Sequence, residues 1–169
     1  MVFSFSSGIS WAIPSANFLY TETALEGGLW QYDYTLFNTS DPILDLGYDL
    51  YYVAIDFNPG ATFTLLSLPL GWSEINGAGF SESFSINPGT PPIGTDVAPG
   101  TSLSGFSFQL DYQAGNLPFL AFLTNPIDPS NPAPYNGNTA PVPEPATLLL
   151  LASGLGGLGF FRGRKFLKP

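Results

Sequence analysis

The chain has 169 residues, of which 13 are acidic and 4 basic, with no His and no Cys, for a formal net charge of −9. This composition excludes disulfides, thiolate or imidazole metal sites, and every catalytic arrangement built on His or Cys. It also opposes nucleic-acid binding, whose affinity rests on cationic contacts to phosphate.

The first twenty residues do not read as an export signal. Met1-Val2-Phe3-Ser4-Phe5-Ser6-Ser7 has no positive charge, and Ser10, Pro14 and Asn17 interrupt the apolar residues that follow. A misassigned start, with the true signal upstream, is the expected reason, and a truncated gene is the alternative. Ser10-Trp11-Ala12-Ile13 and Phe18-Leu19-Tyr20-Thr21 already resemble strands of a mature domain.

Length allows one domain of about 120 residues before the C-terminal segments. Aromatic residues make up 15% of the chain and charged residues 10%, with 19 Gly and 17 Pro, a strand-rich and turn-punctuated composition. Leu29 to Phe37 alternates, placing Trp30, Tyr32, Tyr34 and Leu36 on one face. Asn38-Thr39-Ser40-Asp41-Pro42 is a turn, and its match to a glycosylation sequon is read as no more than that. Tyr48 to Phe57 is apolar on both faces, so a central strand is expected. Strands follow at Ala61 to Leu68, after Asn58-Pro59-Gly60, and at Phe80 to Ile86, where Phe80, Glu82, Phe84 and Ile86 alternate with serines. Leu103 to Tyr112 and Pro118 to Leu123 complete the set. No repeat and no convincing helical period precedes residue 146. The pattern predicts an all-β, antiparallel β-sandwich over residues 1–124.

Residues 125–141 hold five prolines among Asn, Ser and Gly. They read as an extended linker reaching roughly 50 Å if fully polyproline-like. Residues 142–169 are different again. Pro143-Glu144-Pro145 precedes an apolar run, Ala146 to Phe161, and all four basic residues of the chain, Arg162, Arg164, Lys165 and Lys168, follow it. The 16-residue run would rise roughly 24 Å as a helix, short against a hydrocarbon core of about 30 Å, but the cations can snorkel to the interface. A buried core helix is the alternative by length. It is disfavoured because the run is apolar all round and ends in the only cations of the chain. The reading is a single transmembrane helix over 146–161 with a cytoplasmic basic tail, which places the N-terminal domain outside the cytoplasm.

Val142-Pro143-Glu144-Pro145-Ala146-Thr147, the Leu-rich run and Phe160-Phe161-Arg162-Gly163-Arg164-Lys165 together resemble the PEP-CTERM sorting signal of Gram-negative bacteria. The resemblance covers about 28 residues. It implies recognition by an exosortase at the inner membrane, cleavage near Pro143-Glu144-Pro145, and release or attachment at the cell surface, often with extracellular polysaccharide. In that reading Pro143, Glu144 and Pro145 are recognition residues. Gly28 to Ser40 and Ala98 to Phe108 loosely resemble stretches of small ectodomains bearing this signal, which suggests a sandwich and no activity.

Only carboxylate chemistry is open to the domain itself. Glu22, Glu26, Asp33, Asp41, Asp45, Asp49, Asp56, Glu74, Glu82, Asp96 and Asp111 have no basic partner before residue 162. Asp41, Asp45 and Asp49, in a turn-rich stretch, are a candidate Ca²⁺ site, although their spacing is not that of an EF-hand. Solvated acids that keep an aromatic domain soluble are the simpler reading. Mutual repulsion is expected to raise the pKa of clustered acids, so that stability rises as pH falls from 7 towards 5. Trp11, Trp30, Trp72 or the Tyr48/Tyr51/Tyr52 group could stack on sugar rings, though most aromatics in a small sandwich are core. The expected role is a non-enzymatic surface or matrix protein without a cofactor. Its rivals are a carbohydrate-binding module, marked by an outward row of aromatics on one sheet, and a carboxylate glycosidase, marked by two facing carboxylates in a groove.

Overall fold

The computed structural model describes residues 14–58, 60–77, 79–87, 89 and 94–143. The strands, in chain order, are β1 (Ala16–Ala24), β2 (Trp30–Asn38), β3 (Leu50–Asp56), β4 (Phe63–Ser67), β5 (Trp72–Gly77), β6 (Phe80–Ser85), β7 (Ser102–Leu110), β8 (Pro118–Leu123), β9 (Ala133–Asn138) and β10 (Ala140–Pro141). They form two five-stranded sheets, β10-β1-β2-β7-β4 and β5-β6-β3-β8-β9. This is the expected all-β sandwich with one departure: β10 pairs with β1 in parallel, so the first sheet is mixed. As the two-sided apolar pattern of Tyr48 to Phe57 implies, β3 is the middle strand of its sheet.

The core is made unequally. The first sheet contributes aromatic rings, Phe18, Tyr20, Tyr32, Tyr34, Phe106 and Phe108, and the second mainly smaller side chains such as Val53, Ile55, Ala121 and Leu123. Burying each such large side chain is worth about 1.5–3 kcal/mol. The rings meet edge to face, Phe18 on Phe106 at 5.6 Å and Trp72 on Phe106 at 5.2 Å, the arrangement their quadrupoles favour. Gly105 lets β7 follow β2 around this cluster. It is skipped between the pairs Tyr34–Phe106 and Thr35–Ser104, and its φ of 109° suits a glycine bulge.

The linker expected over 125–141 is corrected by the structure. Residues 133–138 are β9, paired antiparallel with β8 from Pro118–Asn138 to Leu123–Ala133. Thr139 is buried and its hydroxyl accepts the Leu117 amide at 2.8 Å. The chain then crosses to the first sheet as β10, and the Val142 amide donates to the Tyr20 carbonyl at 2.8 Å. The prolines fit because both strands are edges: Pro134, on β9, and Pro141 are exposed. The described sandwich therefore runs to the start of the Pro143-Glu144-Pro145 motif.

The two ends of the described chain lie at opposite poles. Ser15, just before β1, meets Ser40 just after β2 through its amide at 3.1 Å, at what we term the upper pole. Asn38 organises that pole from within, donating to the carbonyls of Tyr48 and Val97 at 2.7 and 2.8 Å. Asn38 closes β2, so the expected turn begins after it, and its side chain is buried. β9 and β10 run away from this pole, so the chain leaves at the lower one.

Candidate functional site

The outer face of the second sheet carries the most distinctive arrangement, and β6 is its origin. Along β6 the serines Ser81, Ser83 and Ser85 are buried, while Phe80, Glu82 and Phe84 face outward, half-buried. The opposite orientation would bury more apolar area, and a one-residue register slip would produce it. Two features hold the observed one. The small serines leave volume for the Trp72 indole, which donates to the Thr95 carbonyl at 2.9 Å. The buried hydroxyls also find partners: Ser81 donates to Glu74 at 3.2 Å, and Ser85 and Thr95 share a hydrogen bond of 2.6 Å.

The ladders then line up outward residues across the sheet. Phe84 lies opposite Tyr52, and Tyr52 opposite Phe122, giving one row of three rings on β6, β3 and β8. The Tyr52 and Phe122 rings are 5.2 Å apart. At about 4.8 Å per strand the row spans roughly 10 Å. The next row holds Glu82, Ala54, Leu120 and Asn136. Because Ala54 is small, a hollow of about 380 Å³ opens there, walled by Tyr52 and Phe80 and edged by Asp56, Glu82 and Asn136. The Tyr52 hydroxyl is pushed up to about 12 by partial burial first, and then by its hydrogen bond to Glu82 and the charges of Glu82 and Asp56. At neutral pH it therefore stays protonated beside Glu82 and Asp56.

The structure distributes the other predicted site residues as follows. Of the aromatics weighed for stacking, Tyr52 alone joins the row. Trp72 is core, Trp30 and Tyr48 are half-buried against the core, Tyr51 lines a separate crevice, and Trp11 lies outside the described residues. Asp41, Asp45 and Asp49 do not assemble a metal centre; no group of three candidate ligands occurs among the described residues. Asp41 instead caps its own turn, accepting the amides of Ile43 and Leu44 at 2.8 and 2.9 Å. Asp45, 3% exposed, folds back to accept the Asp41 amide at 2.9 Å. The turn so braced presents Ile43, Leu44 and Leu46 at 84%, 70% and 75% exposure. Of the sorting motif, Pro143 is the last described residue; Glu144, Pro145, the apolar run and the four basic residues lie outside the described part.

The carboxylate with a raised pKa is Asp96, and its main cause is burial, with neighbouring charge from Asp49 a lesser one. It is 2% exposed; the Gly89 amide donates to its Oδ2 at 3.0 Å and its Oδ1 has no partner. Asp41 is shifted the other way by the Leu44 and Ile43 amides. A raised folded-state pKa contributes stability that is fully present below the unfolded value and lost as pH rises through the folded one. The domain is therefore expected to gain stability as the pH falls from neutral through the raised Asp96 pKa and the buried carboxylate takes up its proton. Below about pH 4 the Asp41 contribution is lost and the trend reverses. Melting curves of the wild type and of Asp96→Asn across the acid range test this: the variant should lose the rise on acidification, and an unchanged rise would place its origin elsewhere.

Residues 141–165 match the model of the PEP-CTERM protein-sorting motif. The molecule is thus a two-sheet β-sandwich carrying a PEP-CTERM sorting signal, the signal beginning at the last residue of β10. No curated protein matches the chain. Among solved structures, the chitin-binding domain of Chi18aC from Streptomyces coelicolor is similar at 19% identity and a TM-score of 0.41, over 62% of this chain and 90% of that one. A cohesin module from a Clostridium perfringens family 33 glycoside hydrolase is similar at 9% identity and a TM-score of 0.42, over 78% and 99%. A GH20 exo-β-N-acetylglucosaminidase from Vibrio harveyi is similar at 12% identity and 0.39, over 77% of this chain but 18% of that one. At such scores the likeness carries no argument about this chain.

Proposed function

We propose that this protein is a non-enzymatic domain exported to the cell surface or extracellular matrix and delivered by an exosortase. The observation that carries the reading is the sorting motif over residues 141–165, set directly behind the folded domain. In this reading the precursor spans the inner membrane through residues 146–161. Arg162, Arg164, Lys165 and Lys168 hold the tail in the cytoplasm. Replacing Pro143, Glu144 and Pro145 with alanine in an exosortase-bearing host is expected to leave an uncut, membrane-bound precursor. Processing at the normal rate would refute the assignment.

A second reading concerns what the displayed domain does: it binds glycan on the outer face of the β5-β6-β3-β8-β9 sheet. The row Phe84–Tyr52–Phe122 favours it, because half-buried rings held in register across strands, those of Tyr52 and Phe122 tilted by 56° to each other, offer apolar faces to successive sugars. Asp56 and Glu82 border the same hollow, which raises the glycosidase alternative. They are diagonal neighbours on one sheet face, with side chains projecting side by side. Acid and nucleophile or base must instead flank a scissile bond from two sides. Binding without release of new reducing ends is the outcome this reading requires.

A further inference from the structure

Asp56 and Glu82 stand beside the aromatic row with no cation to answer them. No Lys, Arg or His occurs between residues 1 and 161, so the domain supplies no counter-charge of its own. Glu82 stands beside the Tyr52 hydroxyl and keeps acceptor capacity for a ligand. Asn136, across the hollow, offers both donor and acceptor to hydroxyl groups. A ligand for this face must therefore combine flat apolar surface, neutral hydroxyls and positive charge. A polymer carrying carboxylates or sulfates meets the opposite condition, against a protein of net charge −9.

We propose that the face binds a polymer of hexosamine units bearing free amino groups. Sugar rings lie along Phe84, Tyr52 and Phe122, and an ammonium group enters the hollow over Ala54 between Glu82 and Asp56. The proposal rests on the glycan-binding reading and adds the charge class of the ligand. A charge-assisted pair in a partly desolvated hollow is worth about tenfold or more in affinity. An acetylated or hydroxyl-bearing unit forms no such pair.

The test is calorimetric titration of the full-length chain with glucosamine hexamer, N-acetylglucosamine hexamer, cellohexaose and an oligouronate, at about pH 6 so that the amines are charged. The glucosamine hexamer is expected to bind about tenfold or more tighter than the two neutral hexamers, with the oligouronate weakest. Glu82→Gln should remove that advantage, and Tyr52→Ala should weaken all binding. Equal affinity for amino and neutral hexamers, unaltered by Glu82→Gln, would overturn the charge class and leave the glycan reading standing. Binding of no hexamer would overturn both. A chain that binds no sugar but forms a dimer dispersed by Tyr52→Ala would instead assign the face to a second copy. Equal melting temperatures of the variants and the wild type separate these outcomes from misfolding.

Discussion

A chain ended at Thr124 is expected not to fold. That cut falls where composition changes from strand-like to Pro-rich, yet it removes both β9 and β10. Six residue pairs with β8 are lost, along with Tyr135, whose ring lies 6.0 Å from that of Phe119. Thr139 goes too, leaving the buried amide of Leu117 without its acceptor, a cost of about 1–3 kcal/mol by itself. The new edge would be Pro118-Phe119-Leu120-Ala121-Phe122-Leu123, an apolar strand with a free row of backbone groups and a strong tendency to pair with other copies. Together these losses rival the roughly 5–15 kcal/mol that holds a domain folded. Gel filtration and thermal melting should show aggregation and no cooperative transition, whereas a chain ended at Pro143 should melt cooperatively. Matching transitions for the two chains would show that β9 and β10 are dispensable.

Phe106→Ala is expected to cost about 3–5 kcal/mol, the range for truncating a large buried ring. Phe106 is fully buried and meets Phe18 and Trp72 edge to face, so its removal leaves a void between the sheets that neither neighbour can fill. Phe84→Ala provides the contrast. Phe84 is half-buried on the outer sheet face and should cost about 1 kcal/mol. Urea titration reads both. Equal losses at the two positions would mean that the outer face is as tightly packed as the core, against the assignment of that face as a binding surface.

The parts legible in the sequence were those fixed by local pattern. Alternation placed Tyr32, Tyr34 and Leu36 on one face of β2, and all three are buried. The C-terminal end of Pro118 to Leu123 is legible because Thr124-Asn125 stops the apolar run. Its start is marked by Pro118 rather than by polarity, since Leu117 before it is also apolar and buried. β5, Trp72-Ser-Glu-Ile-Asn-Gly, escaped notice because Trp72 is its one core side chain. β9, Ala-Pro-Tyr-Asn-Gly-Asn, looks like linker since an edge strand tolerates Pro and needs few apolar residues once β8 supplies the template. On β6 the alternation itself was plain, but a period of two does not say which face is inward. The inward one is the serine face because Trp72, on a neighbouring strand, already occupies the space. The row Phe84–Tyr52–Phe122 was equally hidden. It joins residues 32 and 70 positions from Tyr52, and the register of two ladders creates it.

The parallel docking of β10 against β1 has a mechanical consequence. The chain leaves the domain along the strand axis, in the direction in which β1 itself runs. A pull on Pro143 along that axis loads the contacts at Leu19–Ala140 and Tyr20–Pro141, and behind them the β8–β9 ladder, in shear. Hydrogen bonds loaded in shear share the force and must yield together, whereas an antiparallel hairpin end peels open one bond at a time. A domain tethered by its C-terminus in flowing liquid would therefore resist extraction far better than the two residues of β10 suggest. The same strand peeled sideways would come away with little effort.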